Sequence, residues 1–515
     1  MSMRKATLTS AEALTKAFGA NPLLTPLPPF VDIDSMPKFL SSRPLDSIPW
    51  QRVPVGQRCD FLGLMRGHFV PTPEAIEIAF AMQQMIRTGY IERHPGLPCN
   101  LQQRIAISQI PDTDLRTAPW FPRSAVGMVV SGITGLGKTF ITSRVLDLFP
   151  RTYLHGRYER GGWSEQTQIV YIKVSMSADS SRLGFLDNIL VTVDEAIASC
   201  GKPMESYYKM YGGKSARMST EKLMVQIGKI LSQFFCGLLI IEEIQPRNFS
   251  GDQELVFLFI LRLLNFGIPI LLIGNPSAFD DLKIYAQDNR RIYKGKNFEL
   301  WPAQHSNARA WKMYVEGKMQ CTLVPIAFDY DDELFKKIFV SSGGIHDYFD
   351  TLWNIVQENA LRKKKNAIVL DDIDVAYNST RMREYRPLIS SLVERDVERL
   401  SSFADIPTDR FADLWRKLSN DDKDTRDSGT EADSSIPPTP SGKKRGTTTQ
   451  HPQKSRVDRG KEANAKFQAR SNRATKAQQA AKEKVSPDAA AAAKRSNAKA
   501  MLKQMEQLKV ATSKP

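Results

Sequence analysis

Gly132, Gly135, Gly137, Lys138 and Thr139 stand in the run SGITGLGKT, a complete GxxxxGKT pattern. Glycines so placed let the backbone curl until successive N–H groups point at one phosphate, and a helix starting there adds its partial positive charge. Lys138 is then the side chain that reaches the β- and γ-phosphates, and the Thr139 hydroxyl is the ligand for Mg2+. Gly132, Ile133, Thr134, Gly135, Leu136, Gly137, Lys138, Thr139 and Phe140 together form the expected phosphate-binding stretch of this P-loop. A glycine turn without a ligand is the competing reading.

Two acids complete the chemistry. Glu242 and Glu243 end the run CGLLIIEEIQ, four aliphatic residues delivering carboxylates to the end of a buried strand. In a Walker B strand the first acid supports Mg2+ and the second orients and deprotonates the attacking water. The first is usually Asp; Glu242 is one methylene longer, so slow hydrolysis is expected. A solvent-exposed strand end is the alternative. Asn275 follows the apolar run IPILLIG, where it could contact the γ-phosphate or serve as an ordinary turn residue. Arg290 and Arg291, in DNRR, could reach a neighbouring subunit's nucleotide or belong to a solvated basic turn.

Elements must hold these groups together. Val126–Val130 reads as a buried strand, and Phe140–Phe149 places Phe140, Ile141, Val145, Leu146 and Phe149 at helical spacing. Thr167–Val174 and Ile268–Gly274 read as further strands, separated by helical stretches over Leu183–Ala198 and Glu221–Phe235. Asn297–Trp301 is strand-like. Strands alternating with helices make an α/β fold with a parallel sheet. Helices are expected over Ala75–Tyr90, Asp331–Val340, Ile345–Leu361 and Asp371–Leu400, the last three forming a lid. The corner Gly343-Gly344-Ile345-His346 lacks the arginine often found where a lid meets nucleotide. The proline-punctuated NPLLTPLPPF, Asn21–Phe30, could lie in a partner's groove or pack on its own domain.

Charge separates the last part of the chain from the rest. Of a formal net +15, residues 441–515 hold 19 Lys and Arg against 5 Asp and Glu, so nearly all the excess sits there. With almost no large apolar residues, that tail is expected to be disordered, serving as a nucleic-acid or partner-docking arm or as a solubiliser. The five cysteines show no CxxC spacing, so neither a disulfide framework nor a zinc site is indicated. The start lacks the apolar core of a secretory signal, and no apolar run approaches the ~20 residues of a membrane span. A cytoplasmic protein without membrane partners is expected. Four parts follow: an N-terminal partner-binding extension (1–110), a nucleotide-binding core (111–305), a helical lid with C-terminal helices (306–420) and the basic tail (421–515).

The chain resembles the TnsC-type transposition regulators of the AAA+ superfamily, related to the TniB proteins. NPLLTPLPPF, MIRTGYIERHP at Met85–Pro95, SGITGLGKT, VYIKV, LLIIEEIQ and IPILLIGNPSAF follow the family's order over approximately residues 15–400. The first two segments discriminate most, because they lie outside the nucleotide site. The resemblance implies an AAA+ P-loop core with a parallel five-stranded sheet, an N-terminal extension and a helical lid. It further implies a bacterial, ATP-dependent homo-oligomer, a ring or helical filament on double-stranded DNA, that links a target-selection protein to transposase subunits. Lys138, Thr139 and Glu242 would handle ATP and Mg2+, Glu243 the water, Asn275 the sensor position, and Arg290 or Arg291 the intersubunit arginine. Arg182, Lys214 and Arg217 could line the DNA path or sit in solvated loops. A helicase loader or replication initiator would share the nucleotide chemistry, a signalling NTPase scaffold would act without DNA, and a P-loop kinase would need an acceptor site the sequence does not supply.

Overall fold

The computed structural model describes residues 9–111, 125–176, 181–201, 205–213, 218–245, 260–279 apart from 262, and 292–427. Seven strands are present among them: β1 (Gly127–Gly132), β2 (Thr152–His155), β3 (Gln166–Ile169), β4 (Tyr171–Ser175), β5 (Leu238–Ile244), β6 (Ile270–Gly274) and β7 (Asn297–Leu300). Five of them form one sheet in the order β4-β5-β6-β1-β7, every neighbouring pair parallel. Parallel pairing sets all five carboxyl ends along one edge, so the loops after β1, β5 and β6 open side by side.

Alternation along each strand divides the core in two. Val129, Ile172, Val174, Leu239, Ile241 and Leu272 face one side, against the helices Arg182–Ala198 and Thr220–Gln233. Met128, Val130, Leu238, Ile240, Leu271 and Ile273 face the other, against α1 (Pro73–Glu92) and α2 (Lys138–Leu146). Strands buried on both faces are apolar along their length, which is why Met128–Val130, Leu238–Ile241 and Ile270–Ile273 read as apolar runs.

The run TQIVYIKV, expected as one strand, is two. Gln166–Ile169 pairs antiparallel with β2, and the chain changes partner at Val170 before Tyr171–Ser175 joins the main sheet beside β5. The backbone bonds mark the change of partner: Val170 N–H still donates to Arg151, next to β2, while Ile169 N–H already donates to Phe234 on the side of β5. Asp371–Leu400 is likewise not one helix but Asp371–Tyr377, a 3-10 turn at Thr380–Met382, Arg386–Glu394 and Val397–Leu400. Pro387 has no N–H to donate and sits in the first turn of Arg386–Glu394, which ends at a left-handed Arg395 (φ 55°).

A second core joins α3 (Arg309–Met319), α4 (Asp332–Ser342) and α5 (His346–Arg362) through Trp311, Phe335, Phe349 and Trp353, with Leu45 and Met65 from the N-terminal residues inserted among them. Asn21–Phe30 packs on its own chain. Leu23 is fully buried, its carbonyl accepts from Gln168, and Asn21 donates to the Tyr90 carbonyl. A final helix, α6 (Thr408–Asp427), runs past residue 421, where the tail was expected to begin. The tail beyond Asp427 lies outside the described residues, as do Lys214, Arg217, Arg290 and Arg291. Among the described residues no helix is long and apolar enough to cross a membrane.

Candidate nucleotide site

At the carboxyl edge of the sheet lies a cleft of about 920 Å3, bordered by the loop after β1, the ends of β5 and β6, and two segments from the C-terminal part of the fold. The loop has the conformation an anion cradle needs. Gly135 (φ 88°) and Gly137 (φ 79°) adopt positive φ, a region that L side chains enter only at a cost. A Cβ on Gly137 would meet nothing within 4 Å, so its open side faces the cleft. Ile133 and Leu136 bury their side chains, 2% and 1% exposed, so neither obstructs the cleft.

Gly137 opens α2 without any side-chain cap, whereas Thr72, Ser181 and Ser219 cap their own helices. The first intrahelical bond of α2 runs from Ile141 N–H to the Gly137 carbonyl, which leaves the preceding N–H groups for a ligand. Lys138 Nζ lies over this loop and donates to the Gly132 carbonyl at 2.7 Å and the Ile133 carbonyl at 2.8 Å. Burial depresses its pKa to about 8, against the opposing charges of Glu243 and Asp405. Phe140 is 38% exposed and meets Phe69 edge-on, ring centroids 5.1 Å apart.

The acid pair sits in a bulge. Pairing of β5 with β6 slips between Ile241 and Ile244, so Glu242 turns inward, 4% exposed, while Glu243 turns outward. Glu243 takes φ 58°, a strained left-handed conformation for a residue with a Cβ. It accepts from Gln245 Nε2 at 2.8 Å and borders the cleft. Glu242 Oε2 pairs with Lys173 Nζ at 3.0 Å; Oε1 is buried without a hydrogen-bond partner. Burial raises the Glu242 pKa, while Lys173 and, least, the Thr139 hydroxyl act the other way. An unpartnered buried carboxylate oxygen beside a hydroxyl fits Mg2+, which is usually held by one or two carboxylates plus substrate phosphates.

Asn275 is 6% exposed and already engaged. Its Nδ2 donates to the Asp405 carbonyl at 2.5 Å, and its Oδ1 accepts from Ser277 N–H at 3.0 Å. Asn275 thus caps its own turn, as the turn reading expects, and also lines the cleft.

The facing side of the cleft was not legible in the sequence. Asp347 at the start of α5 and the segment Ala404–Asp405 border it. Asp347 N–H donates to the Gly135 carbonyl at 3.0 Å, tying α5 to the phosphate loop. His346, where an arginine was sought, is instead a packing residue. It lies 4.2 Å from the Tyr314 ring, bonds the Leu136 backbone, and burial holds its pKa down at about 4. Asp405 is held by the residues behind it: Arg410 pairs with Glu299 and donates to the Pro276 carbonyl, Phe411 meets Trp301 edge-on, and Trp415 Nε1 donates to Gln304. Arg182 opens the helix Arg182–Ala198, behind the Ser181 cap.

A glycine loop, a buried acid and a turn amide on three adjacent parallel strands are the parts of a P-loop nucleotide domain. Residues 123–282 match the AAA domain family. The sheet described above takes one strand, β7, from beyond the matched segment. No curated protein matches the chain. Among solved structures, the Aeropyrum pernix ORC1 protein in complex with DNA is similar at 13% identity over 64% of this chain and 86% of that one, TM-score 0.33. Drosophila ORC bound to DNA is similar at 13% identity over 62% and 83%, TM-score 0.27, and a structure describing katanin self-assembly at 15% over 56% and 79%, TM-score 0.28. Likenesses at those TM-scores carry no weight for function.

Proposed function

We propose that the chain is an ATP-dependent regulator of DNA transposition, which oligomerises on target DNA and links target-site selection to recruitment and activation of a transposase. The observation that supports the nucleotide part most directly is the convergence of the uncapped α2 N-terminus, Lys138, and the Glu242–Glu243 bulge on one cleft. The transposition part rests on the order of TnsC-like segments, above all NPLLTPLPPF and MIRTGYIERHP, which a nucleotide site does not require.

Backbone N–H groups of the loop and Lys138 would bind the phosphates, Thr139 and Glu242 would hold Mg2+, and Glu243 would orient and deprotonate water. Mg2+ supplies neutralisation of the charge that develops on the phosphates. Asn275 stands at the sensor position, and Arg290 or Arg291 would reach a neighbour's γ-phosphate. ATP between subunits then favours the assembled state, and hydrolysis to ADP and phosphate, slow with Glu242 as the first acid, releases it. Contacts to DNA would be dominated by phosphates and therefore sensitive to salt.

Electron microscopy of the full chain with duplex DNA, in ATP, a non-hydrolysable analogue and ADP, tests this reading. Rings or filaments on DNA are expected with the first two and not with ADP. Failure to assemble on DNA with ATP across low and moderate salt would overturn it.

A further inference from the structure

The sequence leaves Glu242 as an anomaly: a longer acid where a shorter one is usual. The extra methylene adds a rotatable bond, and a carboxylate free to rotate is a poor partner for a small cation with strict geometry. In the fold this side chain is not free. Lys173, on the neighbouring strand β4, places Nζ 3.0 Å from Glu242 Oε2 and 2.8 Å from Ser143 Oγ on α2. One ammonium group thus ties together β4, β5 and the helix that begins at the phosphate loop. Register permits the reach: Ser175 lies opposite Glu242 and Lys173 opposite Ile240, so the long lysine spans a diagonal across adjacent strands.

The other oxygen gives the arrangement its direction. With Oε2 occupied, Oε1 is the oxygen left buried and unpartnered. Desolvating a carboxylate without full compensation is costly, so an orphaned acceptor in a native fold calls for an additional positive or hydrogen-bonding partner.

The geometry points to Lys173 as a positioning residue for the divalent cation: held by Ser143, it pins one oxygen of Glu242 and presents the other to Mg2+, making glutamate serviceable where aspartate is usual. Lys173 touches neither nucleotide nor cation in this scheme; it acts through Glu242. The inference rests on the nucleotide reading given above, and goes beyond it by assigning a residue outside both motifs.

The test is binding of a fluorescent ATP analogue to the full chain as a function of Mg2+, with no turnover measured. Lys173→Met is expected to raise the Mg2+ concentration for half-maximal binding by about tenfold, the lower end of what loss of a partner behind a metal ligand costs. Affinity at saturating Mg2+ should change by less than about threefold, because phosphate contacts remain. Lys173→Arg should stay near the parent, and Ser143→Ala, which frees the ammonium without removing it, should move in the same direction as Lys173→Met by less. Glu242→Asp should likewise raise the Mg2+ concentration for half-maximal binding, since the shorter arm no longer reaches Lys173, and the double variant should be no worse than the worse single one. An unchanged Mg2+ requirement in both Lys173→Met and Ser143→Ala, or additive effects of Lys173→Met and Glu242→Asp, overturns the inference. If the parent binds nucleotide without regard to Mg2+, or Lys138→Ala binds as well as the parent, the nucleotide reading itself has failed.

Discussion

The two sides of the cleft are built by different means. On one side, the loop after β1, the Glu242–Glu243 bulge and Asn275 occupy the ends of adjacent parallel strands, each supplied by a short contiguous segment. On the other, Asp347 arrives from the start of α5 and Asp405 from the turn before α6, far along the chain, held by Gly135, Asn275 and the Arg410–Glu299 pair. The first side offers N–H groups and an ammonium alongside its two acids; the second offers carboxylates alone. Under the nucleotide reading proposed above, phosphates would be drawn to the ammonium and N–H groups of the first side and would have the charges of Asp347 and Asp405 opposite them.

Removing the attraction should have the largest effect. Lys138→Ala, measured by titration with a fluorescent ATP analogue, is expected to lose about 100-fold in affinity, as a charged hydrogen bond worth ~2–3 kcal/mol disappears. Melting temperature should hold, because the ammonium bonds only two loop carbonyls.

Acid probes the facing side. His346 and His68 both have pKa values pressed down to about 4 by burial. Below pH ~6.5 the unfolded chain takes up protons at these rings while the folded chain does not, so stability is flat above that pH and falls as pH drops toward 4. Urea unfolding across this range should show a loss of about 2–3 kcal/mol for each ring, and His346→Gln should remove its share.

The seam between the sides is open to a direct test. Gly135→Ala forces a side chain into φ 88° and brings its Cβ to 2.8 Å from Ile345 Cγ2. A loss of about 2 kcal/mol in unfolding free energy is expected. No loss would mean that α5 does not bear on the loop as described. Strain in the bulge gives a smaller effect: Glu243→Gly should be about 1 kcal/mol more stable than Glu243→Gln, since both remove the charge and only glycine relieves φ 58°. Smallest of all, Asp405→Asn should tighten nucleotide binding about threefold by removing a repulsive charge at the cleft. Weaker binding would reverse the charge contrast drawn between the two sides.

The sheet was readable because each of its central strands is apolar throughout and ends in a residue with distinctive chemistry. Local patterning failed where hydrogen-bond partners, not composition, decide the outcome. Nothing in TQIVYIKV signals that the chain changes partner strand between Ile169 and Tyr171, although Pro387 did mark a break within 371–400 that apolar periodicity obscured. Lys173 carried no motif, since one lysine in a strand pattern looks like any exposed position. Asp405 is a lone acid in a loop, recognisable only once Asn275 is seen to bond its carbonyl.

By itself, then, the sequence determined the phosphate loop, the acid pair and the parallel sheet beneath them, because glycine conformation, strand burial and helix polarity are local consequences of residue type. Tertiary structure alone decided which carboxylates face Lys138, which oxygen of Glu242 stays open, and that Glu243 sits in a strained bulge. Those depend on segments brought together across hundreds of residues, where packing and unpaired hydrogen bonds set the positions.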